Sequence, residues 1–415
     1  MIRRPQLFLL TAFGLATFLV SISTPAQTLT LERALQTALD THPAILGKQS
    51  ASAAARAEQE GAEWQRFPAP SVQAVTQNNG STSTVVRLQQ PIWAGGRITA
   101  GIDAASKRSE AATVAISEAR LDIALKVIGA FTEAQRQQVR QTAAIAGVNE
   151  HEKLLIMISR RVEREVSPPV DKGLAQSRLF VAANDLSAVT QARSNALTQL
   201  SQLTGLTVTD VAGELTDQEL PGSREKTLEL ATDYSPTLKR LAFEETAAQE
   251  DIALKRSAYM PQLSLRVERI NGTDYTMGQT GGSRALLVLD AQPGAGLSAL
   301  SGVSAAVARR EALAQSREAA LRDLRERVGL DWNELVASRL RLDNARQARS
   351  MSAEVFDSYT RQYTAGRKTW IDVLNAVREA TQSEMAVADA AAQMAAAALR
   401  LRLLTGNLNI PGTKQ

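Results

Sequence analysis

Cysteine is absent from the 415-residue chain. That removes disulfides, thiolate metal sites, iron–sulfur clusters, thiol catalysis and a lipid-modified N-terminal cysteine. Histidine is nearly absent: only His42 and His151 occur, far apart, which argues against a histidine metal centre. Aromatics make up 4% of residues, and 47 Lys and Arg stand against 43 Asp and Glu, so no basic footprint marks a nucleic-acid binder. No nucleophile–base motif, phosphate loop or metal signature occurs, which leaves catalysis and cofactors without support. Beyond residue 27 no apolar run approaches 18 residues, so no transmembrane helix is expected there.

The N-terminus does hold a shorter apolar run. Arg3 and Arg4 precede apolar residues from Leu7 to Val20, and Ser23-Thr24-Pro25-Ala26 follows. A charged start, a greasy middle too short to span and a small-residue end describe a signal peptide over residues 1–26. Export is therefore expected.

Proline is missing from two long stretches, between Pro91 and Pro168 and between Pro293 and Pro411. Because an interior proline costs a helix about 3 kcal/mol, these gaps mark helical runs. Residues 98–166 and 301–364 are rich in Ala, Leu, Glu, Gln and Arg. Leu321, Leu324, Val328, Trp332 and Leu335 share a face at spacings of three and four. Sixty-odd helical residues reach roughly 90–100 Å, which predicts a rod or a tube rather than a globule.

The halves repeat. Thr41-His42-Pro43 matches Tyr234-Ser235-Pro236, and Phe67-Pro68 matches Met260-Pro261, at an offset of 193. Asp171 matches Asp372, and Thr204-Gly205 matches Thr405-Gly406, at an offset of 201. The chain thus reads as a tandem duplication, residues 27–220 and 221–415, with eight residues gained near 271–296 in the second copy. Each copy is expected to hold short helices, a β-hairpin (near 71–90 and 263–290), a long helix and a further helix (171–204 and 372–405).

Asn78-Asn79-Gly80 is a strong hairpin turn signal. Thr84, Val86 and Leu88 are predicted to face one way and Val85, Arg87 and Gln89 the other. Leu263, Leu265 and Val267 alternate likewise with Ser264, Arg266 and Glu268. This alternation suits a soluble sheet cap or a membrane barrel. Trp64, Phe67, Trp93 and Tyr259 sit at the strand–helix joints, where an aromatic belt at a membrane interface would fall. Four strands cannot close in lipid, so the barrel reading requires an oligomer.

The order of helices and hairpins, the duplication, and Tyr363-Thr364-Ala365-Gly366-Arg367-Lys368-Thr369-Trp370-Ile371-Asp372-Val373-Leu374-Asn375-Ala376 resemble the TolC family of outer-membrane efflux and secretion channels. The Thr30-Leu31-x-x-Ala34-Leu35 opening and the Gln90–Arg97 segment add to the resemblance, which runs from Leu29 to Asn407. The implied fold is mainly α with a small β part. A homotrimer would form a β-barrel in the outer membrane, continued through the periplasm by an α-helical barrel. The implied partners are outer-membrane lipid, a periplasmic adaptor (membrane fusion) protein and an inner-membrane transporter of ABC or RND type. The implied function is a passive duct for type I secretion of protein or for efflux of small molecules. Arg160–Pro168 and Gln292–Ser298 resemble the branch that serves large adhesins.

The resemblance also implies a periplasmic aperture ringed by Asp372, with Asn375 standing where some relatives carry a second aspartate. Tyr363 and Lys368 are expected to hold the entrance closed against the turn bearing Asp171. Gly366 forms the second-half turn, and the first-half turn lacks a matching glycine. The competing explanation for Asp171 and Asp372 is ordinary helix-start chemistry. The rival to the whole reading is a soluble periplasmic coiled-coil structural or adaptor protein.

Overall fold

The computed structural model describes residues 28–76, 82–213, 222–274, 279–291 and 298–408. The expected signal peptide, the Asn78-Asn79-Gly80 turn and residues 292–297 lie outside these.

The first half runs α1 (Leu31–Thr41), α2 (Pro43–Trp64), β2 (Ala69–Thr76), β3 (Thr82–Trp93), α3 (Arg97–Glu163) and α4 (Pro169–Thr204). The second runs α5 (Arg224–Tyr234), α6 (Pro236–Arg256), β5 (Gln262–Asp274), β6 (Gln279–Asp290), α7 (Ser298–Thr364) and α8 (Trp370–Leu404). Short strands β1 (Thr28–Leu29) and β4 (Asp210–Val211) pair in parallel beside the first half. The starts of α1, α2 and β2 recur 193 residues later, and those of α3 and α4 recur 201 later. Four of the extra residues fall within the second hairpin and four between it and α7.

Helix α3 and helix α7 each hold 67 residues, about 100 Å of rod. Local chemistry sets the starts of their neighbours. His42 caps α2 by accepting the Ala44 N–H at Nδ1, with Pro43 at the first helical position. Ser235 and Pro236 repeat the device on α6. A cap satisfies an orphan donor, and proline there gives up an N–H that had no partner.

Packing is spread along the rods in three places. Leu35, Leu39 and Ile45 bury against Val127, Ile128 and Phe131 of α3 and Leu200 of α4. Leu324, Val328 and Leu335 of α7 meet Leu238, Ala397 and Leu401. At the far end Leu154, Ile158, Tyr363, Trp370, Val373 and Leu374 form the third cluster. Ala390, Ala392 and Ala395–Ala398 are buried, so small side chains let α8 lie close to its neighbours.

The four-stranded sheet is antiparallel, in the order β2-β3-β5-β6. Among the described residues no helix is long and apolar enough to cross a membrane.

Candidate functional site: a two-faced sheet and a helical tip

The sheet sorts its side chains by face. Register pairs Val72 with Val86, Leu88 with Val267, and Leu265 with Leu287. These six are exposed, as is Leu289, so this face is largely apolar and uncovered, with the exposed Arg269 opposite Val86 as its charged member. The opposite face carries Arg87, Gln89, Ser264, Arg266, Glu268 and Arg284. The predicted alternation of Thr84, Val86 and Leu88 against Arg87 and Gln89 is thus the observed one.

Ion pairing organises the polar face. Arg87, Glu268 and Arg284 are direct cross-strand neighbours on β3, β5 and β6. Arg87 Nε lies 2.7 Å from Glu268 Oε1, and Arg284 Nη2 lies 2.7 Å from Oε2. Arg266 approaches to 4.0 Å, and its Nε donates to Gln89. Glu268 is only 2% exposed beneath these arginines. The polar alternation is legible in the sequence, but the ion cluster is not, because it depends on register between halves 181 residues apart.

Both outer strands, β2 and β6, have one unpaired edge within the protomer. At the strand–helix joints, Trp64, Phe67, Trp93 and Tyr259 are all exposed, and Trp64 packs on Phe67 with ring centroids 5.2 Å apart. An exposed aromatic group thus stands at the base of the apolar face.

The opposite end of the molecule is the tip, where α3 turns into α4 and α7 into α8. Gly366 is left-handed at φ 75°, and Glu165, 201 residues earlier, takes φ 60°. The hydrogen bonds match as well: Glu165 N–H to Val162 O and Gly366 N–H to Tyr363 O. The first-half turn therefore has the same backbone without the glycine. The offset of 201 places Glu165 opposite Gly366 and was the available signal.

Thr369 and Asp372 form a capping box at the start of α8. The Thr369 hydroxyl donates to the Asp372 carboxylate at 2.7 Å and its backbone N–H at 3.1 Å. These bonds, aided by the charge of Lys368, hold the Asp372 carboxyl below its ordinary value. Asn375 is exposed three residues on. Asp372 therefore does the helix-start work that its position allows.

Within the protomer Tyr363 reaches the first-half turn as expected, but Lys368 does not. Lys368 makes no ion pair with Asp171 inside the protomer; its Nζ stands 4.1 Å above the Tyr359 ring. Asp171 contributes its backbone carbonyl, which accepts a bond from Trp370 Nε1 at 3.0 Å. Tyr363 is buried, stacks on Trp370 with centroids 5.1 Å apart, and has its hydroxyl 3.4 Å from Ser167 Oγ. Arg161 lies 5.0 Å over the same ring. Ser167, Arg161 and Trp370 were noted only as members of longer segments and given no role at the tip; their contacts arise only when the two turns meet.

Between α3, α4 and α8 lies a cavity of about 70 Å³ lined by Gly147, His151, Arg178, Arg378 and Thr381, among others. His151 is buried with Nδ1 unpaired. Burial, and then the charge of Arg178, push its pKa below the ordinary 6.5. No cluster of metal-ligating side chains occurs among the described residues.

A sheet with one bare apolar face, set on rods of 100 Å, defines a protomer of an outer-membrane channel. The model for the outer membrane efflux protein family matches residues 34–206 and 227–407, and the chain belongs to that family. It is a family of channels, not enzymes, sited in the outer membrane with a helical periplasmic extension. The cobalt-zinc-cadmium resistance protein CzcC of Cupriavidus metallidurans is 27% identical over 75% of this chain and 73% of its own length. A membrane protein from Pseudomonas aeruginosa has the same fold, with TM-score 0.80 and 18% identity over 91% of this chain and 92% of that one. The outer membrane protein VceC of Vibrio cholerae is similar at TM-score 0.79, with 15% identity over 91% and 96% of the two chains.

Proposed function

We propose that three copies of this chain close into one duct, the outer-membrane component of a tripartite exporter. The observation that carries the reading is the sheet: an apolar outer face, a polar inner face, and free edges on β2 and β6. Every backbone donor and acceptor must be paired in lipid, so such edges demand neighbouring copies. Three protomers supply twelve strands, well above the eight of the smallest single-chain barrels. The rods tell the same story. Val336, Leu340, Met351 and Val355 of α7 share one exposed face, and α4 exposes Val170, Phe180 and Val181. Apolar helix faces without a partner in the protomer suit contact between protomers.

In this reading Asp372 rings the periplasmic aperture, Asn375 lies beside it, and the tips meet an adaptor fed by an inner-membrane transporter. Trp64, Phe67, Trp93 and Tyr259 sit at the lipid interface. The cargo is small solutes, a reading supported by the metal-resistance role named for the relative CzcC. Deletion of the gene should sensitise cells to exported toxic solutes without loss of any secreted polypeptide. Loss of one secreted polypeptide with unchanged sensitivity would assign the duct to type I secretion instead. Fractionation adds a check on the duct itself: a soluble periplasmic chain needing no detergent would contradict it.

A further inference from the structure

We infer that the barrel lumen is an anion-attracting segment, built by Arg87, Arg266 and Arg284 around Glu268. The inference rests on the trimeric barrel proposed above. Apart from Asp290, at the helix-side end of β6 and six residues from Arg284, these are the charged residues on the inward face of the described strands, three guanidinium groups against one carboxylate. The register sets Arg87, Glu268 and Arg284 side by side across three strands, with Arg266 two residues along β5. All lie in one narrow band. Within this band the excess is two positive charges in each protomer, and six around the closed lumen.

A structural ion pair would need one arginine, or two in a bridge. Glu268 already accepts both Arg87 and Arg284 at 2.7 Å, so its carboxylate oxygens are engaged. Arg266 stands at the edge of this bridge at 4.0 Å and keeps a hydrogen bond to Gln89. Its charge is left over. The three side chains are a quarter to a third exposed on the inner face, so their charge reaches the pore water. A ring of one sign in a lumen walled by low-dielectric protein and lipid concentrates counter-ions. The band thus lowers the barrier for anionic solutes in the barrel and raises it for cations of the same size. It lies at the opposite end of the duct from Asp372, so the two can be probed from separate sides.

Arg266 is the residue to change, because the Arg87–Glu268–Arg284 bridge survives without it. Arg266→Gln halves the excess charge, and Arg266→Glu cancels it. The experiment is planar-bilayer recording of the full-length trimer in a potassium chloride gradient near 0.1 M. Hexacyanoferrate(II) is then added at the barrel side. The parent channel should be blocked by this tetravalent anion from the barrel side, and the block should weaken in Arg266→Gln and vanish in Arg266→Glu. The chloride-to-potassium permeability ratio should fall in the same order, by about twofold or more overall. Raising the salt to 1 M, where the screening length shrinks from about 10 Å to about 3 Å, should erase the differences. Trimers of both variants on a native gel establish folding. Channels that form normally, yet show no barrel-side block and equal permeability ratios in all three proteins, overturn the inference. Failure to obtain channels from the parent protein at all would instead count against the trimeric barrel.

Discussion

Glu165 occupies a backbone conformation that its side chain disfavours. Left-handed φ costs a non-glycine residue roughly 1–2 kcal/mol, partly offset because glycine loses more entropy on folding. Glu165→Gly should therefore raise the unfolding temperature, a net gain of about 0.5–1 kcal/mol. Gly366→Ala should lower it by a similar amount, since that position takes the same conformation. Calorimetry on the pair checks both signs; equal effects of one sign would show that the two turns are not equivalent. His151 gives a pH dependence. Its pKa is lower in the folded chain than the ordinary 6.5, so the unfolded chain binds the proton more readily. Its contribution to stability is complete above that ordinary value and is lost as pH falls through it towards the lowered one. Arg178 and Asp185 of α4 and Arg378 of α8 line the same cavity and are the charges that a protonated His151 would meet. The fall in unfolding temperature between pH 7.5 and 5 should be smaller in His151→Gln than in the parent. If Asp372 rings the aperture as proposed, Asp372→Asn should reduce cation preference in bilayers while trimers persist. Because the carboxyl is held below its ordinary value, the parent's preference should persist into mild acid.

At the scale of elements, helix packing rests on small residues. Ala397 is fully buried within the cluster of Leu324, Val328 and Leu401, and Ala396 is nearly so. Replacing both with leucine should overpack α8 against α7 and cost about 1–3 kcal/mol, read as a lower unfolding temperature. An unchanged value would mean that the helices part freely there. The long helices were legible because absence of proline and alternation of strong helix formers act locally. The duplication was legible because Thr41-His42-Pro43 and Tyr234-Ser235-Pro236 share a cap-plus-proline device that chain spacing preserves. The strand faces were legible from period-two alternation around Val86 and Val267. What escaped were contacts between distant segments: Arg87 on Glu268, Trp370 on the Asp171 carbonyl, Lys368 over Tyr359 rather than against Asp171. Each needs a register or a turn-on-turn approach that no local pattern encodes. The tip contacts also revise the expected latch. Since the Trp370 bond joins the two turns directly, Trp370→Phe should loosen the tip more than Lys368→Glu, measured as increased hydrogen exchange at residues 164–172.

The whole molecule makes sense only as part of a larger one. A lone protomer would leave Val72, Val86, Leu88, Val267, Leu287 and Leu289 bare, and both sheet edges unpaired. Such a sheet has nothing to bury its apolar face in water, and no way to satisfy its edges in lipid. In the proposed trimer, closure with two further copies would satisfy the edges, while the bilayer would cover the apolar face. The most direct measurement is therefore the mass of the detergent-solubilised protein by light scattering with detergent correction, alongside its circular dichroism. The account requires three times the mature chain mass with the β signal intact. A stable monomer that keeps its β signal would contradict it.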